Sequence, residues 1–154
     1  MDKNLPDAHD LLPIGQSLGH QIRTTHRQFQ SYLQSKIEPH GVTLGMWYFL
    51  RVLWESDGLT QRELSHLVGT MEPTTLVALR SMERAGFIRR QRNTLDRRKI
   101  NVFLTTEGRA LKETLLPLAR DVVDDAAAGM TDAERDMFLA LLGRIQRNLA
   151  EKLA

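Results

Sequence analysis

The segment from Leu59 to Thr105 constrains the fold of this 154-residue chain more than any other part of the sequence. It opens with Thr60 and Glu63, whose side chains have the spacing of a capping box and therefore predict the start of a helix. Apolar residues then recur at helical spacing until Gly69, which is a favourable residue for ending a helix. The pattern predicts a short amphipathic helix.

A second helix is predicted to follow at once. Pro73 falls in its first turn, where a missing backbone N–H costs little, and Gly86 follows its last turn. On a helical wheel the residues divide between two sides. One side carries Thr75, Ala78, Leu79 and Met82, and the other carries Thr74, Val77, Arg80, Ser81 and Arg84.

The period of the pattern then changes from helical to extended. Residues 87–92 and 100–104 both alternate as strands do, and residues 93–96 form the turn between them. Leu59 is expected to pair briefly with this hairpin. Two short helices followed by a hairpin form a winged helix-turn-helix, which is a nucleic-acid-binding arrangement.

Basic residues are concentrated between Arg80 and Lys99. This segment contains eight Lys and Arg residues against two acidic residues, a net charge of +6, whereas the whole chain carries only +2. The rest of the chain is therefore net acidic, and the positive field is confined to the segment where a phosphate backbone would dock. Arg-rich hairpins also occur as plain solvated surface, but the two preceding helices favour nucleic-acid binding.

The bulk composition is that of an ordinary soluble domain, with 42% apolar and 26% charged residues. No apolar run approaches the ~20 residues that are needed to span a bilayer. The polar residues 1–4 are not followed by the apolar stretch of a signal peptide. We therefore expect a soluble, cytoplasmic protein without a membrane partner.

Catalytic and metal-binding motifs are absent from the sequence. There is no cysteine, and no two of the histidines have the i, i+4 spacing of paired ligands on one helix face. Neither a nucleophile elbow nor a phosphate-binding glycine loop occurs. The sequence predicts no enzyme activity, no cofactor and no metal site, although a metal sensor built from His and carboxylates of separate elements stays an open alternative. The histidines are His9, His20, His26, His40 and His66.

Further helices are predicted on both sides of the winged segment. After a loose arm at residues 1–12, apolar residues at steps of three and four predict one long helix from Ile14 to Ile37. A very apolar helix beginning at Thr43 is expected to be the hub of the core. After the wing, a helix containing Pro117 is expected to kink, and a second capping box at Thr131 begins the last helix.

We therefore predict a mainly α fold with a small antiparallel β hairpin, a winged helix-turn-helix joined to a helical dimerisation region. One compact chain would comprise residues 1–41 as the arm and long dimerisation helix, 42–105 as the DNA-binding region and 106–154 as the C-terminal dimerisation helices. A two-fold homodimer buries the apolar stripes of the flanking helices without leaving a free patch. The predicted dimerisation residues are Leu18, Ile22, Leu118, Val122, Phe138, Leu141, Leu142, Ile145 and Leu149.

Four local motifs resemble one family. They are residues 59–65, which enter the first helix of the pair, residues 72–75, which enter the second, residues 82–90, which lead into the wing, and residues 96–105. The last of these fits a D-x-R-x₅-L-T wing signature at every fixed position. Over nearly the whole chain the sequence resembles the MarR (multiple antibiotic resistance regulator) family of bacterial transcription factors.

The resemblance implies double-stranded DNA as a partner. Arg98 would be the wing arginine that enters the minor groove, and Asp96 would brace the hairpin turn. Leu76 and Val77 stand where many relatives carry polar or basic residues. Such an apolar pair would either contact thymine methyl groups or leave fewer direct base contacts, so the operator cannot be copied from relatives. The expected DNA-binding residues are Thr74, Thr75, Val77, Arg80, Arg84, Arg92, Arg97, Arg98 and Lys99.

The resemblance also implies a ligand-responsive regulator, most often a repressor. It would bind an inverted repeat as a homodimer and be released by a small aromatic acid or its CoA thioester. The alternative is a winged-helix module for protein contacts without sequence-specific DNA binding. An aromatic or Met stripe is usually core, but the candidate pocket residues are His20, Arg23, Met46, Trp47, Leu50 and Trp54.

Overall fold

The structure, a computed structural model, describes residues 13–154, so the predicted loose arm at 1–12 lies outside the described residues. Six α-helices and two strands follow one another along this part of the chain. They are α1 (Leu18–Ile37), α2 (Leu44–Glu55), α3 (Gln61–Val68), α4 (Glu72–Arg84), β1 (Ile88–Arg92), β2 (Ile100–Leu104), α5 (Thr106–Ala126) and α6 (Asp132–Leu153). The predicted fold class, mainly helical with one β hairpin, is confirmed.

The first helix begins later than the apolar spacing predicts. A 3-10 turn occupies Ile14–Gln16, and α1 begins only at Leu18. Ser17 is the cap, because its side chain accepts a hydrogen bond from the His20 backbone N–H. The position of the capping residue Ser17, and not the first apolar residue of the pattern, therefore sets the start of α1.

Both predicted capping boxes are present. Thr60 and Glu63 exchange hydrogen bonds at the start of α3, and Thr131 and Glu134 do so at the start of α6. The Thr60 backbone N–H and hydroxyl both donate to Glu63, and these bonds hold the pKa of the Glu63 carboxyl below its usual value. Each box satisfies backbone donors that the helix cannot pair by itself.

Pro117 lies inside α5, which is assigned as one helix from Thr106 to Ala126. The proline therefore does not end the helix, even though it lacks the N–H for an i to i−4 bond. The prediction of a kink at this position stays a prediction.

The chain separates into two compact units, residues up to Ala119 and residues Arg120–Ala154. The first unit contains the winged segment and a continuous hydrophobic core. As predicted, α2 is the hub, with five buried residues along its twelve-residue length. The buried core residues are Ile37, Val42, Met46, Trp47, Phe49, Leu50, Leu53, Leu64, Leu79, Met82, Ile88, Val102, Leu104 and Leu115.

The strands β1 and β2 pair antiparallel, with Ile88 opposite Leu104 and Arg92 opposite Ile100. Leu59 adds to the edge of the hairpin as predicted, since its carbonyl accepts a bond from the Val102 N–H at 2.8 Å. The side chains of Ile88, Val102 and Leu104 point into the core. The hairpin is therefore anchored at its base and projects its turn away from the core.

The second unit consists of the end of α5 and the helix α6. An ion pair joins Arg135 to Asp124 at 3.1 Å within this unit. Many of the large apolar side chains of α6 are exposed, among them Met137, Phe138, Leu139, Leu141, Leu149 and Leu153. None of the helices within residues 13–154 combines the length and the apolar content of a membrane-spanning segment.

Candidate nucleic-acid interface

The two sides of α4 differ as the helical wheel predicts. Leu79 and Met82 are fully buried in the core, whereas Val77, Arg80 and Arg84 are exposed. Thr74 is exposed as well. We refer to Thr74, Val77, Arg80 and Arg84 as the outer face of α4.

The prediction that Thr75 contacts DNA is wrong. Its side chain is only 1% exposed, and its hydroxyl accepts a hydrogen bond from the Ser65 hydroxyl at 2.6 Å. Ser65 lies on α3 and is also buried. Thr75 therefore holds α3 and α4 together from the inside and does not reach the surface.

Asn93 and Asp96 organise the turn of the wing, which comprises β1, the turn and β2. The Asn93 side-chain oxygen accepts bonds from the backbone N–H groups of Leu95 and Asp96, each at 2.9 Å. One Asp96 carboxylate oxygen accepts bonds from the backbone N–H and the side-chain Nε of Arg98, each at 3.1 Å. Asp96 thus lies where a brace of the hairpin turn is expected.

Arg98 has an exposed side chain whose guanidinium pairs with Asp96. These charged hydrogen bonds from Arg98 hold the pKa of the Asp96 carboxyl below its usual value. The Arg98 side chain remains 91% exposed despite the pairing. Asp96 therefore orients this arginine at the tip of the wing without covering it.

The wing carries the exposed cations Arg92, Arg97 and Lys99 in addition to Arg98. A cleft of about 580 Å³ separates this part of the wing from the first turns of α3 and α4. Its lining residues are Thr60, Gln61, Arg62, Glu63, Glu72, Asp96, Arg98, Lys99 and Ile100. The basic wing and the outer face of α4 are thus two separated contact surfaces in one unit.

Arg90 is a basic wing residue with a structural role. Its guanidinium binds Glu83, at 2.8 Å for the closest pair of atoms, and also donates to the Gln61 side chain at 3.3 Å. The bond from Arg90 holds the pKa of the Glu83 carboxyl below its usual value. Because Arg90 is neutralised in this way, its charge adds less to the outward field than the sequence count implies.

Arg89 also makes a contact that the sequence does not predict. Its guanidinium lies over the Phe103 ring at 4.5 Å from the ring centre, across the hairpin. Arg89 and Phe103 are partners in the strand register, which a correct hairpin alignment could have revealed. The Glu83–Arg90 pair had no such signal, because it joins a helix to a strand.

Asp57 also has a structural role that the sequence analysis did not predict. Its carboxylate accepts a bond from the Leu104 N–H at 2.8 Å and pairs with Arg109 at 2.7 Å. Nearby, the Trp54 indole N–H donates to the Gly108 carbonyl at 2.9 Å. These contacts connect the end of α2 to the base of the wing and to the start of α5.

The candidate pocket residues differ in how far they are buried. Met46, Trp47 and Leu50 are buried members of the core, so packing accounts for them without a ligand. His20 and Arg23 are exposed on α1. Trp54 is partly buried and stacks edge-on against Trp47 at 5.8 Å between ring centres.

The predicted dimerisation residues also divide by exposure. Val122 is buried within the single chain, and Leu118 packs against the core, so neither offers an open apolar surface. Leu142 and Ile145 are partly buried. The exposed members are Leu18, Ile22, Phe138, Leu141 and Leu149.

Among residues 13–154 no three His, Asp or Glu side chains are grouped so that they could hold a metal ion. The helix pair, the exposed outer face of α4 and the basic wing define a winged helix-turn-helix DNA-binding protein.

Comparison with known proteins identifies the family. The profile of the MarR family matches residues 42–100. The HTH-type transcriptional repressor YetL of Bacillus subtilis is 31% identical over 112 residues, which cover 71% of this chain and 67% of YetL. The HTH-type transcriptional regulator TtmR of Methylorubrum extorquens is also 31% identical, but the chain spans only 55% of its length.

Solved structures that resemble this chain are also transcriptional regulators of the MarR family. A MarR transcriptional regulator from Methanosarcina mazei is 30% identical, with a TM-score of 0.78 over 86% of this chain and 96% of that one. A Listeria monocytogenes protein of the same fold, 20% identical with a TM-score of 0.79 over 88% of this chain and 91% of that one, was crystallised with a 26mer DNA. The chain belongs to the MarR family; it is a DNA-binding transcriptional regulator and not an enzyme.

Proposed function

We propose that the protein is a homodimeric repressor that binds an inverted-repeat operator and is released from it by a small aromatic acid. The observation that carries the DNA part is the division of α4 into a buried side and an exposed outer face, next to a wing that presents the exposed cations Arg92, Arg97, Arg98 and Lys99. An α-helix placed in the major groove contacts base edges with such a face. The wing cations would then contact the flanking phosphates and the minor groove.

Exposed apolar side chains support the homodimer. Phe138, Leu141 and Leu149 are exposed on α6, and Leu18 is exposed on α1. Met130, Met137, Phe138 and Leu141 also line one largely apolar depression. A symmetric dimer buries such surfaces and also places its two α4 helices, as recognition helices, about one helical turn, ~34 Å, apart on DNA.

The effector is proposed on chemical grounds. BpsR of Bordetella bronchiseptica, 23% identical with a TM-score of 0.76, has its DNA binding regulated by 6-hydroxynicotinic acid, which is a small aromatic acid. His20 and Arg23 are exposed and carry groups that can pair with a carboxylate, and the Trp54 ring is partly accessible. CoA thioesters of aromatic acids form the second compound class to test.

The test is fluorescence anisotropy of the purified protein on the DNA upstream of its own gene, with excess competitor DNA. We expect binding that resists the competitor and weakens steeply with salt, because each neutralised phosphate releases counterions. The titration is repeated with a panel of compounds, and we expect one of them to release the DNA. The panel consists of 6-hydroxynicotinic acid, salicylate, benzoate and a benzoyl thioester of CoA.

Matched variants identify the DNA-binding surface. Arg97→Ala with Lys99→Ala removes two exposed wing charges and should reduce the salt dependence of binding by about two ions. Lys112→Ala with Lys152→Ala removes the same charge from helices outside the wing and should leave the salt dependence unchanged. If neither the upstream DNA nor any sequence selected from random duplexes is bound, the function is a protein contact instead.

A further inference from the structure

Val77 lies at the centre of the outer face of α4. Its side chain is 65% exposed, whereas Thr75, Leu79 and Met82 on the opposite side are buried. At about 100° per residue, Val77 points roughly 140–160° away from each of those three residues. No position on this helix points more directly away from the core than Val77 and Arg84.

The neighbours of Val77 on this face are polar or charged. Thr74 and Arg80 lie three residues before and after it, and Arg84 lies two turns further along. A single exposed aliphatic residue is ordinary on a protein surface. Its position decides the argument, because in the proposed complex the outer face of α4 meets base edges in the major groove.

The chemistry of the major groove leaves one good partner for a valine. Guanine, adenine and cytosine present hydrogen-bonding groups there, and a valine placed against them would desolvate those groups without replacing their bonds. Thymine presents a C5 methyl group, which is the one apolar feature of the groove edge. Valine and this methyl group can remove each other from water at no polar cost.

We propose that Val77 is a specificity-determining residue that contacts the C5 methyl of a thymine in each half of the operator. The proposal rests on the proposed binding of duplex DNA through the outer face of α4. It assigns a required thymine to the base pair under the middle of the recognition helix.

The structure also fixes the direction in which Val77 points. The buried Ser65–Thr75 hydrogen bond and the buried side chains of Leu79 and Met82 prevent α4 from rotating about its axis. The β-branched side chain of Val77 has one strongly preferred rotamer in a helix. A rigid methyl-bearing side chain at a fixed place distinguishes thymine from uracil or cytosine better than a flexible one.

The test replaces each thymine of the operator in turn by deoxyuridine, which lacks only the C5 methyl. The operator is first obtained by selection from random duplexes, and affinities are then measured by anisotropy at one salt concentration. For the wild type we expect one symmetric pair of thymines at which each replacement weakens binding about fourfold, the effect of losing one buried methyl.

Variants connect that penalty to Val77. Val77→Ala should bind the unmodified operator more weakly, and deoxyuridine at the identified pair should change its affinity by less than about 1.5-fold. Leu67→Ala removes another exposed aliphatic side chain, on α3, and should retain the full penalty. Thermal unfolding of each variant checks that the exposed positions leave the fold intact.

Two results would overturn the inference while leaving the proposed function standing: a wild type insensitive to deoxyuridine at every thymine, or a Val77→Ala variant with an unchanged penalty. A wild type that selects no DNA sequence would overturn the proposed function and the inference together.

Discussion

At the scale of single residues, similar side chains in this protein have different roles because their surroundings differ. Thr74 and Thr75 are adjacent, yet the first is exposed and the second is buried against Ser65. Arg90 and Arg98 are both wing arginines, yet Arg90 is enclosed by Glu83 and Gln61 while Arg98 remains 91% exposed. Residue type and helix position therefore assigned Thr75 to the DNA-contacting surface, although its side chain is buried.

Replacing Arg98 by Ala is expected to weaken operator binding by about 1–3 kcal/mol and to lower the salt dependence by about one ion. The reason is the loss of an exposed cation that Asp96 orients at the wing tip. Anisotropy titrations at several salt concentrations measure both quantities. Asp96→Asn is the companion variant, since it keeps an acceptor in the turn but releases the guanidinium. Unchanged affinity of Arg98→Ala would contradict the role of this arginine.

Replacing Thr75 by Val is expected to lower the free energy of unfolding by about 1 kcal/mol, since a buried hydrogen bond is lost without a change in side-chain shape. Urea unfolding measures this cost. The salt dependence of DNA binding should stay as in the wild type. Thr74→Ala is the control: it should leave stability within about 0.5 kcal/mol and weaken DNA binding. A Thr75→Val protein of normal stability that fails to bind DNA would restore Thr75 to the interface.

At the scale of helices and strands, local patterns predicted most of the fold. The capping boxes at Thr60 and Thr131, the apolar hub α2 and the alternation of β1 and β2 are all properties of neighbouring residues, and the structure confirms each of them. What the sequence could not show is which elements meet. The pairs Glu83–Arg90 and Asp57–Arg109 join different elements, and no periodicity records such a contact.

The ion pair between Glu83 of α4 and Arg90 of β1 is expected to make a pH-dependent contribution to the free energy of unfolding. Because Arg90 lowers the pKa of Glu83 from its ordinary value of 4.5, the folded state binds this proton more weakly than the unfolded state. The stabilisation is therefore present above about pH 4.5 and is lost as the pH falls through the lowered folded pKa. The Glu83 side chain is 38% exposed, so solvent screening limits the contribution to about 1 kcal/mol or less.

Glu83→Gln should therefore unfold at lower urea than the wild type at pH 7, and the difference should shrink as the pH is lowered below 4.5. Glu107→Gln, which changes an exposed acid at the start of α5, serves as the reference for general charge effects. A gap between Glu83→Gln and wild type that stays constant down to pH 3 would show that the carboxylate charge is not what stabilises this contact.

At the scale of the whole molecule, α6 leaves several large apolar side chains exposed to solvent in the single chain. Leu141 is 46% exposed and lies beside Phe138 and Met137 in one apolar depression. The sequence predicted this helix as part of a dimerisation region from its apolar stripe. A single chain offers no test of that prediction, because a surface that pairs with its own copy is completed only in the assembly.

Leu141→Arg is expected to convert the dimer to a monomer at micromolar concentration, since it would place a charge in an apolar contact. Sedimentation velocity measures the change, and affinity for the full operator should fall with it. Leu95→Arg is the control: this residue is 97% exposed at the wing turn, so the variant should sediment as the wild type does. Dimers of undiminished stability in Leu141→Arg would place the interface elsewhere.

The buried and exposed sides of α4 have a consequence for redesign. The residues that hold the helix in place, Thr75, Leu79 and Met82, are distinct from those that would face DNA. Thr74, Val77 and Arg80 can therefore be exchanged as a set without disturbing the core. Such an exchange is expected to change the DNA sequence that the protein prefers while leaving its fold intact, so α4 is the element to vary when a regulator for another DNA sequence is designed.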